Sequence, residues 1–500
     1  MQLNIITDQW IPVRRKDGSR VTIAPWEIAD PDLTFPDWPR PDLNIACLEL
    51  LIGLVFMADP PRDTEDWRAR QVPDPDRLKT ALEPFAPAFN LLGDGPRFMQ
   101  DMEKLEESAK NVSFPDMLFI DSAGGQTSKN NADIMVKRNR YSGLPAAEAA
   151  MALFTLQAHA PSGGAGNRTS MRGGGPMVTL VEPHAGGLWS LVWANTPSGT
   201  PAKTNDLPWC RLARTSEQGQ FVFPQDVHSV ETFFGMPRRL RLISEDGAVT
   251  GVVQKPYGAN YAGWMHSLTP HYRGKSSSEF LPRHPKPSGF TYRNWLGVVE
   301  RARRDQSDMA RRAETVEMWT ERSGTIADVI VAGWAMDNMK PRDFIFSRAP
   351  LIDLDDAAIE RMEGLVTAAE KLAADLRVAL EPILAAGETR EAAREDFYLR
   401  TQPAFERHLA ALQKSPEGFK PVALAWLEDL RTTALDIFDT FALPGLGDRD
   451  ISDQQKIVAA RGSLEAAFRG YTKMGREAFA ELGLDVPKQG RRKTIEEASA

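Results

Sequence analysis

The seven histidines and two cysteines are the residues with which this chain could build a metal centre or a nucleophile, and their spacing supplies neither. No His-Glu-x-x-His pair occurs, and Cys47 and Cys210 are too few for a disulfide framework or a cysteine-rich zinc site. His266 and His271 lie close together with His284 nearby, so a metal held there is one reading; solvated or structural histidines are the plainer one. Asp353, Asp355 and Asp356 fit a divalent ion, yet acidic residues also gather at helix N-termini, where they complement the macrodipole, and a helical pattern begins there. The glycine-rich stretch from Pro161 to Ser170 invites comparison with a nucleotide-binding loop and fails it. GxxxxGK[ST] needs a glycine where Pro161 stands and a lysine where Asn167 stands. No GxSxG elbow is present either. No assembled catalytic site, metal or cofactor is expected.

Three loop segments carry a different chemistry, suited to a phosphate backbone or a groove. Ser128 to Gly143 holds Lys129, Lys137, Arg138 and Arg140 against the single acid Asp133, with Asn130, Asn131 and Asn139 as amide donors. The same composition also describes a solvated charged loop. Pro161 to Gly175 contains Gly163, Gly164, Gly166, Gly173, Gly174 and Gly175, with Arg168 and Arg172 between them. Missing side chains let backbone N–H groups approach a ligand and adopt positive φ; two tight turns are the structural alternative. The third signal is split between Lys255, near the end of a strand-like run, and the segment Gly333 to Phe344, which reads as a hairpin with its tip at Asp337-Asn338. Asn338, Met339 and Lys340 set an amide, an apolar side chain and a cation together, a combination suited to insertion at a duplex step. Taken alone, it is only a hairpin.

The elements that must position these loops follow from pattern. Five hundred residues suggest two or three domains, and 42% hydrophobic with 26% charged content is the balance of a globular chain. A net charge of −8 argues against a protein that coats nucleic acid by itself, though not against a local contact within a larger assembly. The start has no secretory n-region, no apolar run approaches the ~18 residues of a membrane span, and a cytoplasmic location without membrane contact is expected. Residues 1–350 read as an α+β domain with long loops. They open with a hairpin around Lys16-Asp17-Gly18, pass through a helix from Asn44 to Met57, and continue with strand-like runs at Met177–Val181, Leu188–Trp193 and Leu240–Ile243. After Pro350 the apolar spacing becomes helical. Ile359, Met362, Leu365, Val366, Leu372, Leu376 and Leu380 paint one stripe, and Gly387 closes that helix. Segments 389–413, 420–442 and 452–483 follow, the first kinked or split at Pro403, so residues 351–486 predict an all-α four-helix bundle, and 487–500 a disordered tail.

In this order the segments resemble the CasA family, the large subunit of the type I-E CRISPR Cascade complex. The similarity runs from ITDQWIPVR through PRFMQ at Pro96 to Gln100, the run Ala152 to Thr179, the hairpin AGWAMDNMK and REDFYLRTQP at Arg394 to Pro403. The resemblance implies a non-catalytic subunit of an RNA-guided surveillance complex. Such a subunit reads the protospacer-adjacent motif of double-stranded DNA from the minor groove, starts unwinding for R-loop formation and helps recruit a helicase-nuclease. Its partners would be target DNA, other Cascade subunits with their CRISPR RNA, and that nuclease. Carried over, the motif-reading glycine loop is Gly163, Gly164, Ala165 and Gly166, the lysine finger is Lys255, and the wedge is Asn338 with Met339. The loop that steadies complex and DNA is Ile134, Met135 and Val136, flanked by Lys137 and Arg138. Lys129, Arg168, Arg172 and Lys340 would touch the DNA backbone. Asn338 stands where glutamine is frequent, Ala165 replaces a glycine, and a cysteine cluster of some members is absent. A metal-dependent nuclease using Asp353, Asp355 and nearby histidines, or a purely architectural scaffold, are the competing readings.

Overall fold

The computed structural model describes residues 3–105, 111–122, 124, 129–130, 137–164, 166–274, 277–302, 309–352, 354–414 and 418–487. The opening hairpin forms where the turn residues stand. Strand β1 (Ile11–Arg15) pairs antiparallel with β2 (Arg20–Ile23), Gly18 takes φ +83° between them, and Asp17 Oδ1 accepts from the Ser19 N–H at 2.8 Å. Strand β3 (Leu33–Pro36) completes this sheet on the other edge of β1.

Helix α1 (Pro41–Ala58) starts on a proline, whose missing N–H costs nothing in a first turn. Its 18 residues have a mean hydropathy of 1.7, long and apolar enough to cross a membrane, against the expectation that no run comes near that length. Yet 89% of it is buried within the protein, against α2 (Ala146–His159) and its other neighbours, which is how a helix apolar on every side is accommodated in a core. Phe154 of α2 enters an aromatic cluster with Phe98, Phe89, Trp209 and Phe234, with ring centroids 5.2–6.5 Å apart. Each such pair contributes about 0.5–1.5 kcal/mol beyond area burial.

Strand β4 (Val178–Pro183) precedes a correction. Leu188–Trp193, expected as a strand, lies in helix α3 (Leu188–Ala194). A short apolar run does not reveal its period, and packing decides. One helical turn stacks Trp189 on Trp193 at 5.3 Å, and Trp193 stacks in turn on Trp67 at 6.4 Å. Strands β5 (Arg239–Glu245) and β6 (Ala248–Lys255) form a hairpin turned at Asp246-Gly247. The long hairpin β7 (Ala327–Asp337) and β8 (Lys340–Leu351) adds β4 to give a sheet of order β8-β7-β4.

The chain divides into two units, Met1–Gly289 with Gly297–Ile352, and Phe290–Leu296 with Asp353–Ala500. The second unit is helical: α4 (Asp356–Ala379), α5 (Glu388–Lys414), α6 (Phe419–Ala442), α7 (Ile451–Ala467) and α8 (Lys473–Glu481), with α4 packed against each of the others. Three expectations change. Helix α4 ends at Ala379, well before Gly387, because Pro382 cannot donate to the ladder and collides with the preceding turn. The segment 452–483 is two helices, divided where Gly470 takes φ +76°. Helix α5 runs unbroken through Pro403; Leu399, whose carbonyl loses its donor there, is half exposed to solvent, and the Thr401 hydroxyl donates to Phe397 O at 2.7 Å. Residues 488–500, nearly all of the expected tail, lie outside the described residues.

Candidate nucleic-acid interface

The glycine loop grows out of the C-terminus of α2 and is anchored from beneath. His159, the last residue of α2, meets Glu49 of α1 with Nε2 to Oε1 at 2.6 Å, and Arg172 meets the other Glu49 oxygen with Nη2 to Oε2 at 2.6 Å. All three side chains are at most 3% exposed. Burial alone would push the Glu49 acid up, but Arg172 and His159 outweigh it and hold the carboxyl below its ordinary range. Above this anchor the loop closes on itself. Gly175 N–H donates to His159 O at 3.1 Å, Ser170 N–H to Ala160 O at 2.9 Å, and Asn167 N–H to Gly164 O at 2.7 Å. Arg172, expected on the DNA backbone, is therefore a buried tether. It also donates to Thr269 Oγ1 and Ala158 O, each at 3.3 Å, and no part of that role faces solvent.

The glycines differ in why they must be glycine. Gly164 takes φ +66°, and a Cβ added to it would meet nothing within 4 Å. Gly166 takes φ +80°, and a Cβ there would lie 2.8 Å from the Tyr257 ring. So Gly164 presents bare backbone to open space, while Gly166 is where β6 and the loop press together. Ala165 lies outside the described residues. Arg168 is half-buried and committed to Ser216, donating from Nε to Oγ at 2.8 Å and from Nη2 to the carbonyl at 3.3 Å, which ties the loop to the 216 segment.

Lys255 is the last residue of β6, and its neighbours on both sides bond to the glycine loop. Gln254 Nε2 donates to Asn167 Oδ1 at 3.1 Å, and Tyr257 N–H donates to Gly166 O at 2.9 Å. Tyr257 itself takes φ +64°, which turns the chain sharply just after Lys255 and Pro256. From the opposite side comes the tip of β7–β8. Asp337 pairs with Lys340, and Asn338 and Met339 between them take φ +49° and +61°, the signature of a two-residue type I′ turn. Asp337 accepts from Asn338 Nδ2 at 2.9 Å and from Arg342 Nη2 at 2.5 Å. The exposed Met339 still reaches the loop, for a Cβ on Gly174 would lie 3.0 Å from its sulfur, and one on Gly175 would lie 2.5 Å from Trp334 O. The structure thus brings together the glycine loop, the end of β6 carrying Lys255, and the Asn338-Met339 tip. Lys340 is exposed beside that tip.

Lys129, Lys137 and Arg138 are exposed on a separate segment of the same unit; Ile134, Met135 and Val136 lie outside the described residues. Arg140 differs from its neighbours. It is half-buried and bonds both oxygens of Asp121, at 2.8 and 3.0 Å. Sequence reasoning missed Arg238, which is buried, donates from Nη2 to Pro161 O, and would crowd a Cβ on Gly163 at 2.7 Å. Arg238 stands just before the strand-like run expected at Leu240–Ile243, and nothing in its sequence neighbourhood marks it as buried.

Of the alternative metal ligands, His284 packs against the glycine loop, its Nε2 2.7 Å from where a Cβ on Gly173 would stand, while Asp355 belongs to the helical unit. Asp355 Oδ1 caps α4, accepting from Ala358 N–H at 2.7 Å, and Asp353 lies outside the described residues. His266 and His271 are buried. Desolvation pulls His266 well below its usual range and His271 down to about 4. Among the described residues no group of three His, Cys, Asp or Glu is placed to hold a metal ion.

Residues 4–437 match the family model of CRISPR-associated protein Cse1. Among solved structures, CasA (Cse1) of Thermus thermophilus is 20% identical with a TM-score of 0.73, the match covering 93% of this chain and 99% of that one. Cse1 of Acidimicrobium ferrooxidans is 18% identical at a TM-score of 0.69, with 97% and 99% covered. A chain of a CRISPR RNA-guided surveillance complex is 15% identical at 0.68, with 93% and 99% covered.

Proposed function

This chain belongs to the CRISPR-associated protein Cse1 family, and on that footing we propose that it is the large, non-catalytic subunit of a type I-E Cascade complex that reads the protospacer-adjacent motif of double-stranded DNA and begins its opening. The observation that carries this reading is the convergence of three unlike elements. Bare backbone at Gly164, the end of β6 at Lys255, and an apolar-and-amide hairpin tip at Asn338-Met339 meet around one glycine loop. A glycine loop can approach base edges in a narrow groove, and the minor groove separates A·T from G·C but little else, so the motif preference is relaxed. Met339 and Asn338 enter the first base step beyond the motif, with an unstacking cost of a few kcal/mol offset by backbone contacts from Lys137, Arg138 and Lys340. Guide RNA pairing then supplies sequence specificity, so a subunit of net charge −8 needs only a local cationic surface. The helices after residue 351 form a bundle that holds displaced strand and partner subunits, and the complex recruits the helicase-nuclease after R-loop formation.

The decisive experiment compares motif-dependent duplex binding by guide-loaded complex reconstituted with and without this chain. Discrimination is expected to vanish without it; unaltered discrimination would reduce the chain to a scaffold. Within that assay Lys255→Glu should abolish most of the preference for motif-bearing duplex while assembly, followed by size-exclusion chromatography, stays intact. Full discrimination in that variant removes Lys255 from the site.

A further inference from the structure

Beside the glycine loop lies a recess lined by Arg211, Arg214, Arg238 and Arg239 together with Glu231 and Tyr261. Most of its charge is already matched. Arg211 is ion-paired with Glu231, whose other oxygen accepts from the Tyr261 hydroxyl at 3.0 Å. Arg239 binds Asp101 at 2.6 Å and Glu103 at 2.7 Å. Two guanidinium groups remain. Arg238 is 6% exposed, and among the described residues it has no carboxylate partner and its Nε has no hydrogen-bond partner. Its one recorded side-chain bond is the donation from Nη2 to Pro161 O at the root of the glycine loop. Arg214 is exposed at the mouth, with a single donation to Asp226 O at 3.3 Å.

A buried guanidinium without an acid is costly, and the ordinary remedy is an oxyanion that takes its free donors. Desolvation draws Arg238 down to about 10. The geometry points to a phosphate subsite in this recess, in which Arg238 at the floor and Arg214 at the mouth take one phosphodiester group of the duplex whose motif lies over the glycine loop. The identification of the phosphate as DNA rests on the function proposed above; the recess and its unmatched arginines do not. Because Nη2 of the same guanidinium holds Pro161 O, an occupied subsite also bears on the loop root, so backbone docking and loop position are coupled.

The test uses the reconstituted complex with motif-bearing and motif-free duplexes, titrated between about 50 and 200 mM salt. Arg214→Gln is expected to weaken both duplexes by the same factor, to leave their ratio unchanged, and to lower the slope of log affinity against log salt by about 0.9, the value for one lost phosphate contact. In the unsubstituted complex, neutral methylphosphonate at one backbone position should reproduce that loss and add nothing to Arg214→Gln. Arg238→Lys keeps the charge and removes the second arm of the fork, so it should weaken both duplexes as well. Unchanged affinity and slope in Arg214→Gln, with motif discrimination intact in the unsubstituted complex, overturns the subsite and leaves the motif reading standing. Absent discrimination in the unsubstituted complex brings down the motif reading and the DNA assignment with it. Saturable binding of inorganic phosphate by the isolated chain, lost in Arg214→Gln while the duplex slope is unchanged, makes the site one for a free anion and overturns the backbone assignment.

Discussion

Gly164 and Gly166 stand two residues apart, both at positive φ, and the space around them gives them opposite duties. Alanine at Gly166 brings a left-handed backbone cost of about 1–2 kcal/mol and a collision with Tyr257, so a total loss of about 2–4 kcal/mol is expected in urea unfolding. Alanine at Gly164 brings only the backbone cost, about 1 kcal/mol, but sets a methyl group on the face that the proposed function offers to DNA. Gly164→Ala should therefore fold and lose motif binding, whereas Gly166→Ala should lose stability first. Equal stability losses would mean that the open space at Gly164 is not what distinguishes them. His271 supplies a pH prediction at the same scale. Its folded pKa of about 4 lies below the unfolded value near 6.5, so its contribution is fully present above pH 6.5 and is lost as pH falls toward 4. That loss is about 3 kcal/mol. His271→Gln should make the stability profile less steep across this window in urea unfolding at successive pH values, the rest of the slope belonging to groups such as the buried His266, and an unchanged profile assigns the acid sensitivity to those other groups. Glu49, Arg172 and His159 show why residue-scale roles were only partly readable in sequence. An arginine among glycines looks the same whether it faces solvent or a carboxylate on a helix far earlier in the chain. For that reason Arg172 is a tether where its sequence suggests a DNA contact, and the burial of Arg238 leaves no mark in its sequence neighbourhood.

At the scale of elements, what was readable depended on whether the signal was local. Asp17-Gly18 and Asp337-Asn338 mark turns within a few residues, and both hairpins form, the second turning at Asn338-Met339, one residue beyond the expected tip. Leu188–Ala194 carries no local signal strong enough to choose between strand and helix, and the Trp67–Trp193 stack that decides it joins residues far apart in sequence. Gly470 and Pro382 are local breakers that the expected boundaries pass over, the first helix being expected to close at Gly387 and 452–483 to run as one segment. The β7–β8 tip holds a further clue, because type I′ turns favour glycine at their second position and this one holds methionine at φ +61°. Keeping a side chain there costs about 1–2 kcal/mol. Local rules broken without structural gain tend to mark functional sites. Met339→Gly should thus leave the folded unit as stable or stabilise it by about 1 kcal/mol, yet slow R-loop initiation more than initial duplex docking. Stopped-flow measurement of duplex opening against equilibrium binding separates the two. Destabilisation by Met339→Gly, or equal losses in both steps, would make Met339 a packing residue against Gly174 rather than a wedge.

At the scale of the whole molecule, the boundary between units is not a single cut. Phe290–Leu296 leaves the first unit's stretch of sequence and belongs to the helical unit. Within that unit the Tyr292 ring stacks on Phe405 at 4.6 Å, lies edge-on to Trp426 at 5.5 Å, and its hydroxyl lies 2.9 Å from Thr401 Oγ1. Trp295 adds an edge contact to Phe405 at 5.3 Å. A change from α+β to helical composition after Pro350 could be read from apolar spacing, but a seven-residue insertion into another unit's core has no periodicity to announce it. The consequence is a division of stability that does not follow chain order. Tyr292→Ala empties a fully buried aromatic site and should cost the helical unit about 3–5 kcal/mol, while the unit that carries the glycine loop keeps its own transition. A fragment beginning at residue 353 lacks both Tyr292 and Trp295 and should be still less stable than that variant. Hydrogen exchange resolved by peptide reads the two units separately: faster exchange in α5 and α6 with unchanged protection in α1 and α2 is the expected pattern. Uniform loss of protection would mean that the two units unfold as one, and that the glycine loop depends on the helical unit for its stability.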